Sequence, residues 1–297
     1  MPPLDPLVGY LVAPLVDPTS RTWWGGLVLF ALVALVAARP GWPRRVLVVL
    51  RHPSSLLDLQ LLIGGQLLRA LIGVPTLATA WWLATHGVRL LDATVGAPAL
   101  TASPWSVALG YTLVIFVVGD ASRFALHLAV HRVPALWALH QVHHSAVVLT
   151  PLTFHRLHPL ESVLHDLRAI AVAALVGGGF WWAFRDATTG WTLLGVPALG
   201  LGLNVVFGNL RHSHVWLRFP ARLERWLISP AQHQLHHAAA PEHHHANLGT
   251  WLAVWDRLAG TLQVAGPEAP RAFGLQHPNH RNDLLSAWFG PLRGLVP

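Results

Sequence analysis

The sequence predicts an all-α integral membrane bundle of about four to five transmembrane helices, with a histidine-rich helical cap on one side. Three observations point there. Hydrophobic residues make up 53% of the 297-residue chain and charged ones only 11%, where a soluble domain carries about 25% charge. Five apolar stretches approach the roughly 20 residues that a helix needs to cross a bilayer. Histidine occurs 20 times and recurs at i, i+3 and i+4, a spacing that sets side chains on one helix face.

The apolar stretches run over residues 23–38, 56–84, 105–126, 169–184 and 191–209. The first is short enough to lie partly in the interface. The second contains Arg69 and the pair Gly64-Gly65, and is expected to be broken or re-entrant. The third continues as a helix from Trp105 to His131, about 39 Å at 1.5 Å per residue. That exceeds the roughly 30 Å hydrocarbon core, so the helix should carry His127 and His131 out of the lipid before Val133-Pro134 ends it. The fourth holds Gly177-Gly178-Gly179, which either lets helices pack closely or loosens the helix. Tryptophans at 23, 24, 81, 82, 181, 182 and 191 fall where interfacial aromatics are expected.

Orientation follows from the basic residues, all of which are arginine. Arg39, Arg44, Arg45 and Arg51 crowd the connection after the first stretch, which makes that connection cytoplasmic and the N-terminus external. Counting forward, residues 127–166 and everything after 209 fall inside, and every dense histidine cluster lands on the cytoplasmic side. The expected location is a bacterial plasma membrane. The formal charge of +7 is scattered among apolar stretches, which favours headgroup anchoring over a nucleic-acid partner. The absence of cysteine excludes disulfides and thiolate metal ligands within this sequence. No basic run opens the chain, so no cleavable signal peptide is expected. One integral domain spans 1–297: spans and loops over 1–104, a histidine-bearing region over 105–265, and a tail over 266–297.

The histidines fall in patterned groups: His127 and His131; His140, His143 and His144; His155 and His158; His212 and His214; His233, His236 and His237; and His243, His244 and His245. Burying many imidazoles around one point is costly unless their nitrogens are satisfied, and a metal satisfies them. Two copies of His-x-x-His-His supply more nitrogens than one ion takes, which implies two metals. The plainer reading is a solvated histidine patch. His52, His86, His277 and His280 stand alone and read as structural.

The run from Asp120 through His127 and His131 to Pro134, then Leu136 to Ser145, resembles the fatty acid hydroxylase/sterol desaturase superfamily. So do 154–161 and 229–237, and the tail from Asn247 through Asp256 to Thr261. The similarity covers roughly 105–265 in order. It implies a di-iron, oxygen-activating centre with His127, His131, His140, His143, His144, His214, His233, His236 and His237 as ligands. His212 is the substitute for His214 if the register differs. His158 and His244 match positions often occupied by histidine, as ligands or as groups that orient one. Asp120, two turns before His127, would accept a ligand N–H or seal the pocket, and Glu161 would orient His158 or pair with Arg156 or Arg168. His155, His165, His243 and His245 look like additions without an assigned role. Leu128 and His245 depart from the usual arginine and aspartate, altering what surrounds the ligands.

The implied activity is hydroxylation of an unactivated C–H bond in a lipid-like substrate, with two iron ions and O2. Zinc can replace iron in an all-histidine site. Electrons would come from a separate transfer protein, and substrate from the membrane lipid phase. Desaturation of a similar substrate is the alternative. A non-catalytic metal-binding or transport protein would carry ionisable groups at mid-membrane on several spans, and these spans hold few.

Overall fold

The computed structural model describes residues 6–18, 20–36, 42–72, 76–98, 100–188 and 198–293. Thirteen α-helices are numbered in order: α1 Pro6–Val16, α2 Trp24–Val36, α3 Trp42–Arg51, α4 Pro53–Ile72, α5 Thr76–Thr94, α6 Pro104–Arg132, α7 Pro134–His144, α8 Pro159–Phe184, α9 Ala198–Leu203, α10 Ala221–Glu224, α11 Pro230–His236, α12 Val254–Ala259 and α13 Leu284–Arg293. Among the described residues no strand forms, and pairing is limited to two isolated bridges, Leu227 with Leu252 and Ala238 with Phe273. The all-α expectation holds.

Among the described residues three helices, α4, α6 and α8, are long and apolar enough to cross a membrane. The first and fifth expected stretches form shorter apolar helices, Trp24–Val36 and Leu199–Gly208; residues 37–38 and 191–197 of those stretches lie outside the described residues. The second stretch is two helices rather than one, since α4 ends at Ile72 and α5 begins at Thr76. Gly64-Gly65 does not break α4. Gly64 instead faces the Trp288 ring, to which a Cβ would come within 3.0 Å. As expected, α6 runs unbroken to Arg132, and Val133, in extended backbone, caps α7 with Pro134 at its first turn.

By packing, the chain divides into two compact units: Met1–Gly73, Phe124–Ser162 and Leu203–Pro297 form the first, and Val74–Arg123 with Val163–Gly202 form the second. In the first unit α4 buries Leu57 and Leu61 against Val142 of α7 and Ala287 of α13. A fully buried ion pair reinforces that contact. Arg156 donates to Asp58 Oδ1 at 2.9 Å, and also to the Ser54 carbonyl (2.9 Å), the Val142 carbonyl (2.9 Å) and Ser145 Oγ (2.8 Å). Asp58 Oδ2 accepts from Thr153 at 2.7 Å. Burying a charge pair is costly unless its remaining polar atoms are bonded, and here the spare bonds pin the C-terminal end of α7 to α4.

In the second unit Tyr111, Val172 and Val176 share a core with Ile115 and Phe180. Within the glycine triplet of α8, Gly178 serves close packing. The helix is continuous, and a Cβ on Gly178 would lie 3.3 Å from the Ala84 backbone. Trp81 stacks on Trp181 nearby, centroids 5.4 Å apart.

Candidate metal centre

Four short elements of the first unit bring the histidines together. The end of α6 carries His127 and His131; α7 carries His140, His143 and His144 one turn apart on its buried face. On α11, Ser229 caps the helix by accepting from the Gln232 amide, while Gln232 bonds back to the Ser229 amide. This reciprocal cap fixes where the helix starts, and therefore where His233, His236 and the C-capping His237 point. Gln234 of the same helix donates to the carbonyls of Leu210 (2.7 Å) and Val215 (2.9 Å), clamping the turn that holds His212.

The imidazoles form two adjoining groups. His127, His131, His140, His144 and His236 make one; His143, His212, His233 and His237 make the other; within each, one ring nitrogen per residue lies within 4.8 Å of the rest. His144 links them, its ring centroid 4.5 Å from His236 and 4.8 Å from His237.

Three imidazoles of the first group are oriented from behind. His127 Nδ1 donates to the Leu248 carbonyl (2.7 Å), His140 Nδ1 to Glu161 Oε1 (2.6 Å) and His236 Nδ1 to the Ala246 carbonyl (2.8 Å). Donation through Nδ1 leaves Nε2 with its lone pair, which is how partners behind a ligand fix its tautomer. The two carbonyls belong to a turn that Asn247 enters in the left-handed region, φ 55°. Asp256, fully buried, holds that turn by accepting from the amides of Leu248 (2.8 Å) and Gly249 (2.7 Å) and from Thr261 Oγ1 (2.6 Å). Burial raises its carboxyl above the usual range, against the pull of these bonds.

The nitrogens facing inward fit a metal. Among buried side-chain atoms without a hydrogen-bond partner are both nitrogens of His131 and Nε2 of His140, His144 and His236. In the second group His212 Nε2 lies 3.0 Å from His233 Nε2 and 3.1 Å from His237 Nε2. One imidazole nitrogen carries one proton or one lone pair, so it cannot satisfy two others at once. A cation held by all three rings would satisfy them, each imidazole offering its lone pair. Burial pushes His143 down to about 3, helped by His140. It holds His144, His212, His233, His236 and His237 well below their ordinary value, helped by the neighbouring imidazoles and, for His233, first by Arg211. These rings are neutral at pH 7 and offer lone pairs.

Eight of the nine sequence-expected ligands fall in these groups. The ninth, His214, lies outside both groups, and His212, the expected substitute, lies in the second. His214 is exposed and His212 takes its place, because Ser213 bonds the Leu210 carbonyl and the Val215 amide, turning His212 inward and its second neighbour out. His158 stands apart, with Nε2 on the Trp288 carbonyl (2.8 Å) and Nδ1 accepting from the Leu160 amide (3.1 Å). His244 donates to the Ala238 carbonyl at 2.9 Å. Glu161 bonds His140, and Arg156 pairs with Asp58. Asp120 is fully buried in α6, but the ring N–H of His127 goes to Leu248. The role of Leu248 and Ala246 escaped sequence reading because a carbonyl leaves no residue-type signal. Asp256 stood inside the recognised tail, without a stated task.

Fold and site define an all-helical membrane protein with a buried polyhistidine centre. A model of the family described as fatty acid hydroxylase matches residues 112–261, half of the chain, and the chain belongs to that family. It is similar to alkylglycerol monooxygenase of Danio rerio, 27% identical over 175 residues (59% of this chain, 35% of the relative). It is also similar to the Homo sapiens and Xenopus tropicalis proteins of that name, each 26% identical over 55% of this chain and 32% of the relative. The matched region thus spans about a third of the length of these relatives. No solved structure matches the chain.

Proposed function

We propose that this protein is a membrane monooxygenase that hydroxylates an unactivated C–H bond of a lipid-like substrate at a two-iron centre, using O2 and electrons from a separate donor protein. The observation that carries the reading is the pair of adjoining histidine groups: in the first, buried ring nitrogens lack partners, and in the second, three Nε2 atoms crowd one another. Two irons, when bound, supply oxygen activation and the oxidising power for the C–H bond. The chain supplies the rest. His127, His131, His140, His144 and His236 hold one ion, and His143, His212, His233 and His237 the other. Glu161 and the Leu248 and Ala246 carbonyls keep the rings turned inward. Burial keeps the site dry and the imidazoles neutral.

Membership of the fatty acid hydroxylase family and the monooxygenase names of the relatives support an oxidising role on a lipid. Alkylglycerol, in those names, is the first substrate to assay. The arginine pattern supports placing the centre at the cytoplasmic face. The test is product analysis with isotopic O2, using iron-loaded protein in lipid with a reducing system. One labelled oxygen atom gained by the substrate is expected. A substrate lacking two hydrogens would make the protein a desaturase. No oxidised product across alkylglycerols, fatty acids and sterols would overturn the reading.

A further inference from the structure

Away from the histidines, the first unit presents an exposed surface of unusual composition. The connection from α10 and the helix α12 lie side by side: Leu227 pairs with Leu252, and the Trp226 carbonyl accepts from the Ala253 amide at 2.9 Å. Together they expose Leu258 (78%), Trp226 (59%) and Leu223 (41%). Arg222, Arg225 and Arg257 are exposed among them, and the Arg257 guanidinium lies 4.7 Å over the Trp226 ring. The acidic residues of the two segments, Glu224 and Asp256, are fully buried and spent on internal bonds. The surface is therefore apolar and cationic, with no exposed carboxylate of its own.

Its setting follows from α6. That helix has 29 residues, about 43 Å at 1.5 Å per residue, some 13 Å more than the hydrocarbon core. With its first turn at the opposite face, α6 leaves the hydrocarbon about nine residues before its end. His127, within that projecting part, is bonded to Leu248, and Leu252 one turn further along the chain bridges to Leu227. The surface is thus tied to the projecting end of α6, and tryptophan, leucine and arginine together are the residues of an interfacial anchor.

We propose that Leu223, Trp226 and Leu258, with Arg222, Arg225 and Arg257, dock on the anionic lipid headgroups of the leaflet from which the C-terminal end of α6 emerges. The apolar side chains enter the acyl boundary, and the guanidinium groups bind lipid phosphates. Charge complementarity favours lipid as the occupant, and the spanning helices supply it at high local concentration without a third component.

The native chain has no cysteine, so a bimane label can be placed singly. Leu258→Cys is compared with Leu113→Cys, exposed on α6 within the span, and with Glu268→Cys, exposed in a polar loop. The full chain is held in nanodiscs of equal parts phosphatidylcholine and phosphatidylglycerol, with brominated acyl chains as the lipid quencher and iodide as the aqueous one. Bromolipid quenching at 258 near that at 113 is expected, falling severalfold when Arg222, Arg225 and Arg257 are changed together to glutamate. The triple variant should keep its metal content, since none of the three arginines touches the histidines. Three results would overturn the proposal. The label at 258 responds to iodide but not bromolipid, as at 268; or its quenching ignores the triple change; or it is shielded only when a soluble acidic protein is added, which makes the partner a protein.

Discussion

Glu161 Oε1 and His140 Nδ1 meet at 2.6 Å, the carboxylate fully buried and the imidazole nearly so. A charge-assisted bond this short fixes one ring nitrogen as donor and turns the other toward the cluster. Replacing Glu161 with alanine should lower metal affinity by about 10–100-fold, with glutamine intermediate because its amide oxygen still accepts. Metal titration of the purified variants checks this; equal affinity for all three proteins would remove Glu161 from the site.

The exchange of His214 for His212 gives the sharpest test of the ligand set. His212→Ala should lose one of two expected metals per chain, whereas His214→Ala should keep both. Alanine at His143, His144, His236 or His237 should abolish activity with the membrane helices still folded, and His52→Ala should do little. Elemental analysis beside circular dichroism reads both quantities. Full metal content in the His212 variant would return the assignment to His214.

Asp256 holds two backbone amides and a hydroxyl in a buried turn. Removing it strands donors that cost about 1–3 kcal/mol each when unsatisfied. Asp256→Ala should therefore destabilise the first unit by roughly 3 kcal/mol or more, seen as a lower thermal midpoint, and should release the Leu248 carbonyl from His127. An unchanged midpoint would show that the turn stands without it.

His155 and His280 are both depressed to about 4, each first by burial; then Arg69 and Arg21 act on His155, and Arg156 on His280. The unfolded chain binds their protons near pH 6.5 while the folded chain does not, so the unfolded state gains protons first on acidification. Stability from these two sites is complete above about pH 6.5 and falls as the pH drops toward about 4. Thermal midpoints of the metal-free protein across that window should decline with acid, less steeply in a His155→Asn, His280→Asn double variant. A midpoint that rises with acid contradicts both depressions.

Single cysteines at exposed positions test the orientation inferred from arginine placement. Val95 and Val147 are both exposed, and Glu242 is as well. A membrane-impermeant reagent should reach Val95→Cys from outside, and Val147→Cys and Glu242→Cys only after the membrane is opened. Labelling of positions 147 and 242 from opposite faces would be incompatible with one shared histidine centre.

Much of this was legible in the chain because it obeys a period. The i, i+3, i+4 recurrence in His140, His143 and His144 survives as a buried helix face, and the length of the third stretch survives as α6. Contacts between distant segments have no period. Nothing local marks Glu161 as the partner of His140, or Arg156 as that of Asp58, since a carboxylate reads alike beside any cation. The choice between His212 and His214 depended on one serine closing a turn. Gly64-Gly65 read as a break because glycine weakens a helix, yet the decisive fact is a tryptophan arriving from residue 288.

The bond from His127 to Leu248 joins residues 121 positions apart. A ribosome makes His127, His131, His140, His143 and His144 long before it makes the carbonyl that aims His127, and before His233, His236 and His237 exist. During synthesis the early imidazoles therefore lack the partners that aim them. Assembly is timed by its last contributor: the bonds that Asp256 makes to the turn at 246–249, and its bond to Thr261, form only once those two residues have been added.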